Sequence, residues 1–293
     1  MATLAAASDS GRYMLTKTGC PRCGRFAALA GMAAARVTVT DSDRRFFRKQ
    51  GYVVIPGVLT DTKIARGLAL VDDQLTADPP PQGHVGQLAR WPRFDSTNPA
   101  DSSRTYPLLD FYRETGVADL AAGLLREDLP LAEPDFAQVA VTIPTWRHRP
   151  GGPHLDGLNP LAPQTAPHSF SLLAGLWLSD QSAPDNGNLY VWPGTHLRAG
   201  AYFAEHGTEA ITRVDELEPG PYPHVELGTP TQATGPAGSV LFAHYLLAHN
   251  IGGHSGPSDA PWRQTLYYRL SAVGHRERWR TIVTEPLHEF RPA

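Results

Sequence analysis

Cysteine is nearly absent from this 293-residue chain: Cys20 and Cys23 are the only two. Two thiols cannot staple a small secreted scaffold, and a single Cys-Pro-Arg-Cys pair lacks the second cysteine pair of a zinc site. Lysine is almost as scarce, with Lys17, Lys49 and Lys63 the only three among 26 basic residues. Arginine is therefore the default anion-binding group here, an excess that a GC-rich genome explains and that weakens arguments from arginine identity alone. Charge of one sign is missing too: the formal net charge is -3, which gives no electrostatic case for nucleic acid or an anionic membrane. Long apolar runs are also lacking. The stretch Phe26 to Ala35 follows Lys17, Arg22 and Arg25 and mimics a signal peptide, but it is too short to span a bilayer and too alanine-rich to be strongly hydrophobic. Residues 1–40 are expected to be a disordered extension or an over-called start with initiation at Met32, leaving a cytoplasmic protein with one domain over 41–293.

What the chain has in quantity is glycine, proline and histidine: 27, 27 and 12 residues. So many breakers exclude a long-helix bundle and favour short elements joined by loops. From residue 41 the pattern becomes regular. Ser42 is placed to cap a helix carrying Phe46 and Phe47 that ends at Gly51, followed by a buried strand Tyr52-Val-Val-Ile55. Asp61 is placed to cap a second helix to about Leu75, residues 78–104 read as a polar loop, and 106–127 read as helical. Beyond them lie short apolar runs at 136–145, 169–179, 188–192, 239–243 and 263–271. Many short strands with turn signals predict a mainly β domain with flanking helices, a sandwich or barrel.

The histidines then raise the question of metal. In Gly152-Pro-His154-Leu-Asp156-Gly157, residues two apart point the same way, so His154 and Asp156 can share one ion while Leu155 points away. An HxD pair alone is weak and needs a third ligand from elsewhere. The segment Gly238 to Asn250 supplies a strand and two histidines, His244 and His249, either of which could complete the set. Two imidazoles and one carboxylate on one face of an octahedral ion leave three positions open, an arrangement that suits non-haem Fe(II) oxygenases. Two of those positions take the keto and carboxylate oxygens of 2-oxoglutarate and the third takes O2. An arginine nearby can grip the distal carboxylate in a forked pair.

Over roughly residues 43–272 the chain resembles the phytanoyl-CoA dioxygenase family of Fe(II)/2-oxoglutarate-dependent oxygenases. Four stretches carry the resemblance in order: Phe46 to Gly57, His154-Leu-Asp156, Asn186 to His196 with its Pro-Gly-Thr-His corner, and Gly238 to Arg263. It implies a double-stranded β-helix, a jelly roll of the cupin type. It also implies His154, Asp156 and His249 as iron ligands, with ascorbate as a useful support in vitro. Arg263, fourteen residues after His249, matches the arginine for the distal carboxylate of 2-oxoglutarate. Arg269 is the competitor for that role, but it is expected at the far end of the same strand. His254 is expected to be solvated or close behind the ligands, and His196 to bond backbone at its turn.

On the strand before the metal motif, Gln138, Ala140 and Thr142 share one face, opposite Val139, Val141 and Ile143. The resemblance places Gln138 and Thr142 near cosubstrate and substrate. Trp146 to Pro150 is expected at the pocket mouth, making Trp146, Arg149 and Trp91 the substrate-side candidates. The expected chemistry is hydroxylation of an unactivated C–H bond in a small metabolite, since lysine scarcity offers no obvious site for coenzyme A phosphates. Desaturation, epimerisation and ring formation use the same ligand set, and a non-catalytic cupin-like binding module is the remaining rival. Asp156 occupies the position that a halogenase would leave open for halide.

Overall fold

The computed structural model describes residues 37–94, 106–150, 152–158, 166–212 and 222–292. Residues 37–293 cluster as one compact unit. The expectations for 1–36, including the Cys20/Cys23 pair, lie outside the described residues. The chain enters through Thr40, which caps helix α1 (Asp41–Gln50) in a reciprocal capping box with Asp43. Thr40 takes the role expected of Ser42 because its hydroxyl and the Asp43 carboxylate each satisfy an orphan N–H of the first turn. Thr60, one residue before the expected Asp61, likewise caps α2 (Asp61–Ala77).

Strand β1 (Tyr52–Ile55) opens the main sheet. The region read as a loop holds strand β2 (Gly86–Arg90), and the expected helix over 106–127 is split at Gly116 into α3 (Pro107–Thr115) and α4 (Val117–Leu124). The apolar runs become β3 (Ala137–Ile143), β4 (Leu172–Trp177), β5 (Leu189–Val191), β7 (Val240–His244) and β9 (Arg263–Leu270). Between them lie α5 (Thr195–His206), the two-residue β6 (Thr231–Gln232) and β8 (His249–Ile251), and α6 (Trp279–Thr284) follows. The His196 corner is thus the start of a helix, with the His196 ring bonded to the backbone oxygen of Arg48.

All pairings are antiparallel. The main sheet runs β1-β7-β4-β9-β3-β2 and the minor sheet β6-β5-β8. The two are layers of a sandwich of the cupin-like type, and the strands do not close into a barrel. Both faces of the main sheet are covered, which is why its strands read as continuous apolar runs. Val139, Leu176, Phe242 and Leu266 face a core shared with α1 to α4, whereas Ala140, Leu173, Leu241 and Tyr267 face the minor sheet. The alternation fixes register, since a slip of one residue would exchange the two sets. Among the described residues no helix is long and apolar enough to cross a membrane.

Candidate active site

A cavity of about 240 Å³ lies between the two layers. Its walls come from β3 and β9 of the main sheet and β5 and β8 of the minor sheet, with Trp91 and Gln87 at one side. His154 reaches it because the loop after β3 returns as an isolated bridge against β8, with the His154 N–H donating to the His249 oxygen at 3.1 Å. That bridge places the two imidazoles side by side, with ring centroids 4.6 Å apart. Both Nε2 atoms turn toward one oxygen: Asp156 Oδ1 lies 3.5 Å from His154 and 3.7 Å from His249. The ligand atoms of His154, Asp156 and His249 all fall within 4.8 Å of one another.

The protonation pattern fits a cation. His249 Nδ1 sits 2.9 Å from the Leu247 oxygen, so Nδ1 carries the proton and Nε2 presents a lone pair. Burial, followed by the neighbouring His249, pushes the His154 imidazole below its ordinary pKa, which favours the neutral form a metal needs. Burial alone would raise the Asp156 carboxyl. The Arg269 guanidinium, with the two imidazoles, outweighs burial and holds the carboxyl well below the usual carboxylate range. An ionised oxygen between two imidazole nitrogens is the donor set of a borderline divalent ion.

His244 is not part of this set. It is buried under α1 and the C-terminal segment, with Nε2 2.7 Å from the Pro286 oxygen and Nδ1 accepting from the Leu246 N–H. His254 is also committed elsewhere. Instead of being solvated it is buried, tying its loop together through the Pro261 oxygen and the Gly256 N–H.

At the other end of the cavity stands Arg263, only 2% exposed. Its Nε donates to Gln181 Oε1 at 3.3 Å and its Nη2 to the Tyr267 hydroxyl at 2.5 Å, and no carboxylate among the described residues pairs with it. Thr142 lies directly opposite on β3, and its buried hydroxyl has no hydrogen-bond partner among the described residues. A buried guanidinium with only neutral partners, beside an orphaned hydroxyl, is an unmet demand for an anion. Gly175 gives the Tyr267 ring its space, since a Cβ there would sit 2.6 Å from that ring. Gly187, at φ +77, comes over Thr142 and Arg263, where a Cβ would approach both side chains.

Of the other expected site residues, Gln138 lines the cavity and accepts from Arg269, and half-exposed Trp91 forms part of its rim. Trp146 and Arg149 do not line it. Trp146 stacks on His148 with centroids 4.4 Å apart and covers Gly86. Tyr267, Gln181 and the role of Arg269 were not foreseen. Period two along β9 puts Arg263, Thr265, Tyr267 and Arg269 on one face, and that signal could have found Tyr267. Arg269 is at the far end of the strand as expected, but that end is where Asp156 lies.

The sequence model of the family described as phytanoyl-CoA dioxygenase matches residues 47–263. No curated protein matches. Among solved structures, the chain is similar to the non-haem α-ketoglutarate-dependent carbocyclase SnoK from nogalamycin biosynthesis. That likeness has a TM-score of 0.52 and 19% identity, over 79% of this chain and 84% of that one. It is also similar to HygX from Streptomyces hygroscopicus, solved with nickel and 2-oxoglutarate, with a TM-score of 0.49, 17% identity and 80% and 87% of the two chains covered. The epimerase SnoN from nogalamycin biosynthesis shows a TM-score of 0.49 and 20% identity over 78% and 80%. With its matched span covering three quarters of its length, this chain belongs to the phytanoyl-CoA dioxygenase family.

Proposed function

We propose that this protein is an Fe(II)/2-oxoglutarate-dependent oxygenase that hydroxylates an unactivated C–H bond of a small metabolite. The observation that carries the reading is the pairing, within one cavity, of a convergent His154/Asp156/His249 set with the anion-demanding Arg263. His154 Nε2, His249 Nε2 and Asp156 Oδ1 would hold Fe(II). Arg263 and Tyr267, with Thr142 opposite, would bind the distal carboxylate of 2-oxoglutarate. Gln138, Leu173 and Leu189 would bound the substrate near the metal, with Trp91 at the rim. When bound, Fe(II) and 2-oxoglutarate supply the oxidising chemistry: O2 and 2-oxoglutarate become succinate, CO2 and the oxygen inserted into the C–H bond.

The protein's own part is positional. The two imidazoles and the ionised Asp156 converge on one point, the Arg263 end fixes the cosubstrate by charge, and the apolar walls limit water at the reacting carbon. The cavity volume suits a small metabolite: of its two wall arginines, Arg269 is engaged by Asp156 and Arg263 is assigned to the cosubstrate, which leaves neither for a polyphosphate carrier. We infer that residues 41–293 are the catalytic domain.

Succinate formation from 2-oxoglutarate, measured with added Fe(II) and ascorbate, tests the reading. Wild type is expected to release succinate in an uncoupled reaction, with Asp156→Ala lowering the rate at least about a hundredfold. Equal, metal-independent rates for the two proteins would overturn it. Product masses from a metabolite screen, substrate plus one oxygen against loss of two hydrogens, separate hydroxylation from desaturation or ring closure.

A further inference from the structure

Arg269 is placed to control how Asp156 ligates. Its side chain is 11% exposed and every nitrogen is used. Nη2 and Nε donate to the same oxygen, Asp156 Oδ2, at 2.6 and 3.2 Å, while Nη1 donates to Gln138 Oε1 at 2.6 Å. Aromatic rings wall the guanidinium in: Trp91 at 4.8 Å, Phe136 at 5.6 Å and Phe170 at 6.0 Å from its central carbon. Oδ2 therefore belongs to Arg269, and Oδ1 alone faces the imidazoles.

We propose that Arg269 is a positioning residue that keeps Asp156 a one-oxygen ligand and so preserves three open positions on the metal. The inference rests on the Fe(II)/2-oxoglutarate reading. Two imidazoles and one oxygen fill half of an octahedral shell, leaving two positions for the cosubstrate and one for O2. A carboxylate free to rotate offers both oxygens, as carboxylates commonly do to metals, and then only two positions remain. Charge pulls the other way, since a guanidinium beside the ligand lowers the site's attraction for a cation. The two-point grip on Oδ2, braced by Gln138 and three rings, is the orienting device, and orienting partners of metal ligands control affinity by about 10–100-fold.

The test needs no turnover. Co(II) is titrated calorimetrically into wild type, Arg269→Gln, Arg269→Lys and Gln138→Leu, with the visible Co(II) spectrum and the melting temperature recorded for each. 2-Oxoglutarate is then titrated into each Co(II)-loaded protein. Arg269→Gln is expected to raise the Co(II) Kd at least about tenfold. It should also change the Co(II) spectrum and weaken 2-oxoglutarate binding to the loaded protein. Lysine keeps the charge but not the two-point grip, so Arg269→Lys should fail to restore the wild-type spectrum. Gln138→Leu, which leaves Arg269 in place without its brace, should raise the Kd in the same direction by a smaller factor. It decides the matter if the arginine variants do not fold.

An Arg269→Gln protein with the wild-type spectrum and a Co(II) Kd equal to or tighter than wild type overturns the proposal while the oxygenase reading stands. The same follows from an unchanged Gln138→Leu protein if the arginine variants do not fold. A wild type that takes no Co(II) at all removes the oxygenase reading, and this proposal with it.

Discussion

Replacing Arg263 should separate stability from binding, with opposite signs. The side chain is 2% exposed, holds two neutral hydrogen-bond partners and faces no carboxylate among the described residues. A desolvated charge without a counter-ion costs several kcal/mol, which the Tyr267 hydroxyl and ring recover only in part. Methionine fills a similar volume without that cost, so Arg263→Met should stabilise the ligand-free protein by about 1–2 kcal/mol, since exchanges of buried charge for packed apolar groups gain roughly 1–4 kcal/mol. At this size that is a rise in Tm of about 2–8 °C. Binding should move the other way. Two charge-assisted bonds to a carboxylate are worth about 1.5–3 kcal/mol each, so their loss should raise the Kd for 2-oxoglutarate by at least about a hundredfold. Scanning calorimetry with and without 2-oxoglutarate reads both quantities. Wild type at a hundred times its Kd should gain about 2.7 kcal/mol from the ligand, and Arg263→Met almost none. If Arg263→Met melts well below wild type while its ligand shift persists, the guanidinium is a structural prop and the anion-receptor argument is refuted.

Two further outcomes are expected. Burial pushes His196 down to about 4, while burial and then the neighbouring His196 push His244 down to about 3. The unfolded chain takes up these protons near 6.5 and the fold resists them, so stability is full above pH 6.5 and falls as pH drops toward 4. Each histidine should cost about 2 kcal/mol at pH 5, and urea midpoints unchanged between pH 7 and 5 would contradict their burial as neutral rings. Gly187→Ala would add a Cβ 2.9 Å from that of Thr142 and 3.1 Å from that of Arg263, on a backbone at φ +77. It should cost about 2 kcal/mol or more in urea unfolding and raise KM for 2-oxoglutarate; a neutral result would mean that this floor yields.

The main sheet was largely legible because its strands bury both faces and leave continuous apolar runs, as in Ala137 to Ile143. The HxD spacing and the block ending at Arg263 mark four of the cavity's polar groups, His154, Asp156, His249 and Arg263. Strand β2 was hidden because Gly86-Gln-Leu-Ala-Arg90 is short, partly polar and at the sheet edge, so its pairing with β3 supplies what its composition does not. Helix α5 was hidden because Pro193-Gly194-Thr195 carries the residues of a turn, while in the fold Gly194 serves as the helix cap. The place of Trp146 depends on the missing Cβ of Gly86, sixty residues earlier, and that of Arg269 on a carboxylate 113 residues earlier. Partnerships of that kind leave no periodic trace in a single sequence.

Strand β9 is written on both sides. Arg263, Thr265, Tyr267 and Arg269 face the cavity side, while Leu266, Tyr268 and Leu270 build the core beneath α1 to α4. A one-residue slip of the whole strand would send both arginines into the apolar core and bring leucines to the metal, and an insertion or deletion within it would misplace at least one of the arginines. Descendants of this sequence can therefore vary β9 only by substitution, and sparingly. New substrates have to be accommodated where side chains can change without shifting that register, on the rim around Trp91.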